Sequence, residues 1–128
     1  MTPEEEVKNE CLRAHGRAKD ALILVNRSGM ATFYRKDGKP YYVHYGLTAA
    51  GSSDLIIPKR ELITVEMVGT HIARFCVAEL KAPGARTEKR REIKQGNFID
   101  QIISLGGYGG IARSALDLER IVWPERFR

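Results

Sequence analysis

Gly51-Ser52-Ser53-Asp54-Leu55-Ile56 and Phe75-Cys76-Val77-Ala78-Glu79-Leu80-Lys81 are the two stretches on which the reading of this chain turns. Each is a short apolar run with charged groups at one end, the pattern of a strand. Glu79 and Lys81 are two residues apart, so on a strand both side chains leave the same face. Asp54 ends a Gly/Ser turn and opens the apolar run Leu55-Ile56-Ile57. Set side by side, the two strands would gather an Asp, a Glu and a Lys. Two carboxylates are hard oxygen donors suited to Mg²⁺ or Mn²⁺, and an ammonium beside them suits a phosphate or an attacking water. Taken singly, an acid at a strand edge or an E-x-K pair is solvated surface or a weak ion pair. The run from Ile72 to Leu80 is largely apolar, however, and reads as an interior strand, where a Glu and a Lys require partners.

The bulk properties narrow the classes. At 128 residues the chain reads as one domain, 1–128, able to bury a single core. Apolar and charged contents of 43% and 29% are those of an ordinary globular protein. No apolar run approaches the roughly 20 residues that span a bilayer. The acidic start Met1-Thr2-Pro3-Glu4-Glu5-Glu6 lacks the basic-then-apolar order of a signal peptide, so a cytoplasmic location is expected. Cys11 and Cys76 read as buried free thiols, and no C-x-x-C or H-x-x-x-H spacing suggests zinc. The net charge is +5. Between Lys81 and Lys94 stand six cations, Lys81, Arg86, Lys89, Arg90, Arg91 and Lys94, against Glu88 and Glu92. Such a basic block is either a solvated helix start or a surface for a polyanion.

Along the chain, Pro3 to about Asp20 reads as a first helix on the Val7, Cys11, Ala14, Ala18 spacing, with Gly16 as its weak point. Glu4 and Glu10 flank that stripe, whereas Glu5 points away. Ala21–Val25 reads as a strand or continuing helix. Met30–Tyr34 and Tyr41–Tyr45 read as a hairpin around Lys36-Asp37-Gly38-Lys39-Pro40, with Tyr41, Val43 and Tyr45 on one face and Tyr42 and His44 on the other. Gly46–Ser53 is a small-residue loop, and Leu62–Met67 is ambiguous. A long strand is expected from about His71 to Lys81, a helix from about Thr87 to Leu105, a last strand over Tyr108–Arg113, and a terminal helix capped by Ser114. Gly106-Gly107-Tyr108-Gly109-Gly110 follows a helix and precedes a strand, the reverse of a phosphate loop, and reads as a helix stop with a tight turn. His15, His44 and His71 read as structural or surface residues. The element order describes an α/β fold, a mixed sheet flanked by helices.

This order, with D…ExK at those strands, resembles the PD-(D/E)xK nuclease superfamily and its restriction-endonuclease-like fold. More closely it resembles the virus-type replication-repair nuclease (VRR-NUC) family, which is common in phages. The matching stretches are Asn26-Arg27-Ser28-Gly29, Gly51 to Ile56, Glu66-Met67-Val68-Gly69, Glu79-Leu80-Lys81-Ala82-Pro83-Gly84, Gln95-Gly96-Asn97-Phe98-Ile99 and Gly106 to Ser114. Each is weak alone; their order and spacing are specific.

The resemblance implies that Asp54, Glu79 and the Leu80 main-chain carbonyl bind Mg²⁺ or Mn²⁺. Lys81 would orient or help deprotonate the attacking water, or stabilise charge on the phosphate. Gln95 matches the glutamine on the helix after E-x-K, and Glu4 matches a first-helix glutamate, with Glu10 in reserve. Ser53 stands where the superfamily pattern has proline, and Lys81 to Gln95 is longer than in the family, an inserted basic loop or helical turn. The implied activity is a DNA endonuclease for branched or structured DNA, a homodimer able to resolve four-way junctions, since symmetric nicking requires two sites. Its interface would use the hairpin around Met30 to Tyr45 or the C-terminal segment with Trp123 and Phe127. The block Arg86, Lys89, Arg90, Arg91 and Lys94, together with Arg27, would contact DNA phosphates. The alternatives are a restriction-type or exonucleolytic nuclease with the same site, or a DNA-binding module without catalysis.

Overall fold

The computed structural model describes residues 1–47, 53–84 and 89–128. The chain is a mixed α/β protein that divides into two compact units, Met1–Ile57 and Pro58–Arg128.

The first unit opens with α1 (Pro3–His15). Thr2 caps it: its Oγ1 accepts from the Glu5 amide at 3.1 Å, and the Glu5 carboxylate accepts from the Thr2 amide at 2.8 Å. This reciprocal capping box satisfies two of the helix's orphan donors, and the Thr2 backbone N–H holds the Glu5 carboxyl below the usual glutamate range. The helix stops at His15 rather than near Asp20. The Gly16 amide closes the last turn on Leu12 O at 2.8 Å, and a Cβ there would lie 2.5 Å from that same oxygen. β1 (Leu24–Val25) pairs antiparallel with β4 (Leu55–Ile56). Between them in sequence, β2 (Gly29–Tyr34) and β3 (Pro40–Tyr45) form an antiparallel hairpin. Its turn is closed by Arg35 N to Lys39 O and Gly38 N to Arg35 O, both 2.9 Å, with Gly38 at φ +86° as the Asp-Gly signal predicts.

The second unit begins with a 3₁₀ turn, Val65–Met67, in the segment that reads ambiguously. β5 (Cys76–Leu80) and β6 (Tyr108–Ala112) run parallel, from Cys76↔Tyr108 to Leu80↔Ala112. They are joined by α2 (Lys89–Ser104), which packs on both strands, as α3 (Ala115–Val122) also does. A parallel pair requires such a crossover. Ser114 caps α3, accepting from the Asp117 amide at 3.1 Å, and a 3₁₀ turn, Pro124–Phe127, follows.

The strand expected from His71 starts only at Cys76. Its partner is five residues long and begins directly after the Gly106-Gly107 helix stop, so the ladder ends at Tyr108 N to Phe75 O and gives Ile72 no partner. Ile72 is accordingly exposed, as is Leu80, and the apolar run is not an interior strand throughout. Cys11 and Cys76 are free but half-buried rather than buried.

Among the described residues the core centres on Ile102 of α2, fully buried, and Ala112 of β6. The glycine run serves this packing. Gly106 ends α2 at φ +97°. A Cβ on Gly107 would meet Phe75 O at 2.5 Å and Ile102 Cγ2 at 2.7 Å, so β6 lies against α2 only with glycine there. Ile102→Ala is expected to destabilise the protein by about 2–5 kcal/mol, the cost of a cavity at a fully buried aliphatic, measurable by urea unfolding. No helix among the described residues is long and apolar enough to cross a membrane.

Candidate active site

Each unit has a cleft of its own, lined in part by polar side chains. In the first, an open cleft of about 640 Å³ is lined by Glu4, Val7 and Cys11 of α1, by Asn26 and Arg27 after β1, and by Asp54 before β4. Glu4 and Asp54 therefore share a cleft, and Glu10 is not among its lining residues. Glu5 lines it as well, contrary to the expectation that it points away, although its carboxylate is engaged in the capping box.

Asp54 is positioned by Asn26. The Asn26 amide donates to Asp54 O at 2.8 Å, and its side-chain Nδ2 donates to Ser53 O at 2.9 Å. The side-chain Oδ1 of Asn26 accepts from Leu47 N at 3.2 Å and from Ser28 Oγ at 3.2 Å, and Ser28 Oγ also lies 2.8 Å from Leu47 O. One asparagine thus ties the end of β1, the start of β4 and the exit of the hairpin together. The sequence marks Asn26 only as part of a turn signal; its amide, with donor and acceptor on one short side chain, is what allows the bridging.

In the second unit, Glu79 and Lys81 are half-buried and alternate with exposed Ala78 and Leu80, so both take one face of the strand end as the E-x-K spacing requires. Gln95 of α2 donates through Nε2 to Glu79 Oε1 at 2.6 Å. Its own Oε1 is buried and has no hydrogen-bond partner among the described residues. Such a group is uncommon in folded proteins and calls for a water, ion or ligand. Glu79, Gln95 and Lys94 line a cleft of about 460 Å³ with Val77, Phe98 and Ile99. The Lys81 side chain is 6% exposed, and its ammonium pairs with Glu92 Oε1 at 3.7 Å. Glu92 was not assigned from sequence. The signal lies in its spacing, three residues before Gln95 and so on the same helix face. The strand end is braced further by Lys81 N to Ala112 O at 3.0 Å and Arg113 Nη1 to Ala82 O at 2.7 Å.

The remaining assigned residues that the structure describes are on the surface. Lys89, Arg90, Arg91 and Lys94 are exposed on α2, Arg27 is exposed at the first cleft, and Arg86 lies outside the described residues. His15, His44 and His71 are exposed. Trp123 and Phe127 are partly exposed, each with an arginine over its ring, Arg126 at 4.5 Å and Arg120 at 5.4 Å. Among the described residues no three His, Cys, Asp or Glu side chains gather as a metal-ligating cluster. Comparison with protein-family models, with curated proteins and with solved structures yields no match to this chain.

Proposed function

We propose that the chain is a metal-dependent DNA endonuclease of the virus-type replication-repair kind, with a restriction-endonuclease-like fold, hydrolysing phosphodiester bonds in branched DNA as a homodimer. One observation carries the reading. Glu79 shares a strand face with Lys81 and is gripped by Gln95 from the following helix, and the second polar atom of Gln95 is buried with no hydrogen-bond partner among the described residues. A glutamate that served only as surface would not draw a half-buried glutamine whose other polar atom is buried.

By the resemblance, the Asp54 and Glu79 carboxylates and the Leu80 carbonyl would be the ligands, and they are hard oxygen donors of the kind that suit Mg²⁺ or Mn²⁺. Gln95 Oε1 is an acceptor of the kind a water beside the ion would satisfy. When bound, the cation supplies Lewis-acid polarisation of a phosphoryl oxygen and a lowered water pKa. The protein's own groups do the rest. Gln95 orients Glu79 by its hydrogen bond, Glu4 adds a carboxylate to the Asp54 cleft, and Lys81 offers an ammonium to the phosphate charge or the attacking water.

The exposed cations of α2, with Arg27 and Arg86, are proposed to contact phosphates. Neutralising Lys89, Arg90, Arg91 and Lys94 is expected to weaken binding to all duplex sequences alike and to flatten the salt dependence by roughly 0.9 per lost contact. An unchanged slope in fluorescence anisotropy titrations would show that these charges face bulk solvent.

The function is tested with end-labelled linear, flap and four-way-junction DNA in Mg²⁺ or Mn²⁺, alongside sedimentation. Cation-dependent, paired symmetric nicks in the junction by a dimer are expected. A monomer that cuts only flaps or ends favours the exonucleolytic or restriction-type alternative. Binding without cleavage of any substrate reduces the chain to a DNA-binding module.

A further inference from the structure

The β2–β3 hairpin is unexplained by the cleavage chemistry. It is inserted between β1 and β4, the two paired strands whose ends border Asp54. Its base is fastened there by Asn26, through Asp54 O, Ser53 O and Leu47 N. The hairpin therefore departs from the Asp54 end of the strand pair. Its tip carries Arg35, Lys36 and Lys39 against one acid, Asp37, whose Oδ1 already accepts from Lys39 N at 2.9 Å.

The two faces of the hairpin differ. On one, the Phe33 and Tyr41 rings stack on each other at 5.6 Å, and Tyr45 lies over Gly29, where a Cβ would meet its ring. These aromatics brace the hairpin itself. The other face carries Tyr34 and Tyr42, 71% and 58% exposed, in the registers Tyr34↔Pro40 and Thr32↔Tyr42. The two are diagonal neighbours across an antiparallel pair, about 7–8 Å apart at the backbone.

We propose that this hairpin is a nucleic-acid arm that stacks unpaired bases on Tyr34 and Tyr42 while Arg35, Lys36 and Lys39 hold the adjoining phosphates. It selects single-stranded or splayed segments of DNA next to the site. The proposal rests on the reading of the chain as a protein that acts on DNA. The charge decides the occupant: exposed aromatics interleaved with cations match the stacking platforms and electrostatic funnels of single-strand binders, whereas a second copy of the same hairpin would bring like charges together.

The test uses the full chain in EDTA, which separates binding from cleavage, with fluorescent oligothymidine, a four-way junction carrying a gap, and blunt duplex. Tyr34→Leu/Tyr42→Leu keeps apolar bulk but removes the ring faces. Affinity for oligothymidine and for the gapped junction is expected to fall by roughly 5- to 150-fold, the worth of one stacked base, with duplex binding held to about a two-fold change. Tyr34→Phe/Tyr42→Phe is expected to bind like wild type. In the wild-type protein, 2-aminopurine placed in oligothymidine is expected to change emission on binding, a readout independent of any variant's folding. Equal loss on all three DNAs, silent 2-aminopurine, or unchanged binding with a shift to monomer in sedimentation would each overturn the proposal, the last assigning the hairpin to a contact between copies. Should wild type cut nothing in Mg²⁺ or Mn²⁺ while these binding differences persist, the endonuclease reading falls and the arm stands.

Discussion

Asp54→Ala and Glu79→Ala are each expected to abolish cleavage of four-way-junction DNA in Mg²⁺, a loss of roughly three orders of magnitude or more in single-turnover rate. The scale follows from the several kcal/mol that a correctly held cation contributes to a phosphoryl transition state, at about 1.4 kcal/mol per tenfold. The two substitutions differ in what else they disturb. Asp54 is exposed, and its segment is held through main-chain oxygens by Asn26, so alanine there should leave the fold unchanged. Glu79 accepts from Gln95 Nε2 at 2.6 Å, so alanine strands a donor and costs about 1–3 kcal/mol of stability. Glu79→Gln separates the effects, because the amide oxygen can still accept from Gln95 while the ligand charge is lost. Cleavage by Glu79→Gln at the wild-type rate, with folding verified by urea unfolding, would remove Glu79 from the site.

The parts of the fold legible in sequence were those set by local chemistry. The Asp37-Gly38 turn fixes the hairpin register, the Ser114–Asp117 spacing predicts the α3 cap, and Gly106 marks the end of α2. The errors fall where a partner elsewhere in the chain decides. Ile72 to Phe75 carry strand-like residues, but the ladder cannot extend past the short β6, so β5 begins later than its apolar run. The first helix has apolar spacing to Ala18, yet the backbone turns off at Gly16. The candidate site divides in the same way. The E-x-K alternation of Glu79 and Lys81 follows from strand periodicity alone, whereas Gln95 is indicated only by the nuclease resemblance. Asn26 and Glu92 act through contacts of 28 and 11 residues' separation: helical spacing puts Glu92 on the Gln95 face but does not name Lys81 as its partner, and the turn signal at Asn26 does not name Asp54.

Lys81→Met is expected to lower the cleavage rate by roughly 10²–10⁴-fold, the range of a positioned proton-transfer or charge-stabilising side chain, with DNA affinity nearly unchanged. Methionine is chosen over alanine because the Lys81 side chain is 6% exposed, and an unbranched apolar replacement fills the same space without opening a cavity. The Glu92 carboxylate left behind is about half exposed and remains solvated, which limits the folding cost, and urea unfolding measures that cost directly. The discriminating measurement is the split between rate and binding. An ammonium that acts at the reacting phosphate is used in the transition state, so kcat falls while KM holds. An ammonium that merely adds to the basic surface does the opposite: its loss weakens binding, reduces the salt slope and leaves the saturated rate intact. Normal cleavage at saturation by Lys81→Met would assign Lys81 to that surface, and its burial beside Glu92 would then be a structural ion pair at the end of β5.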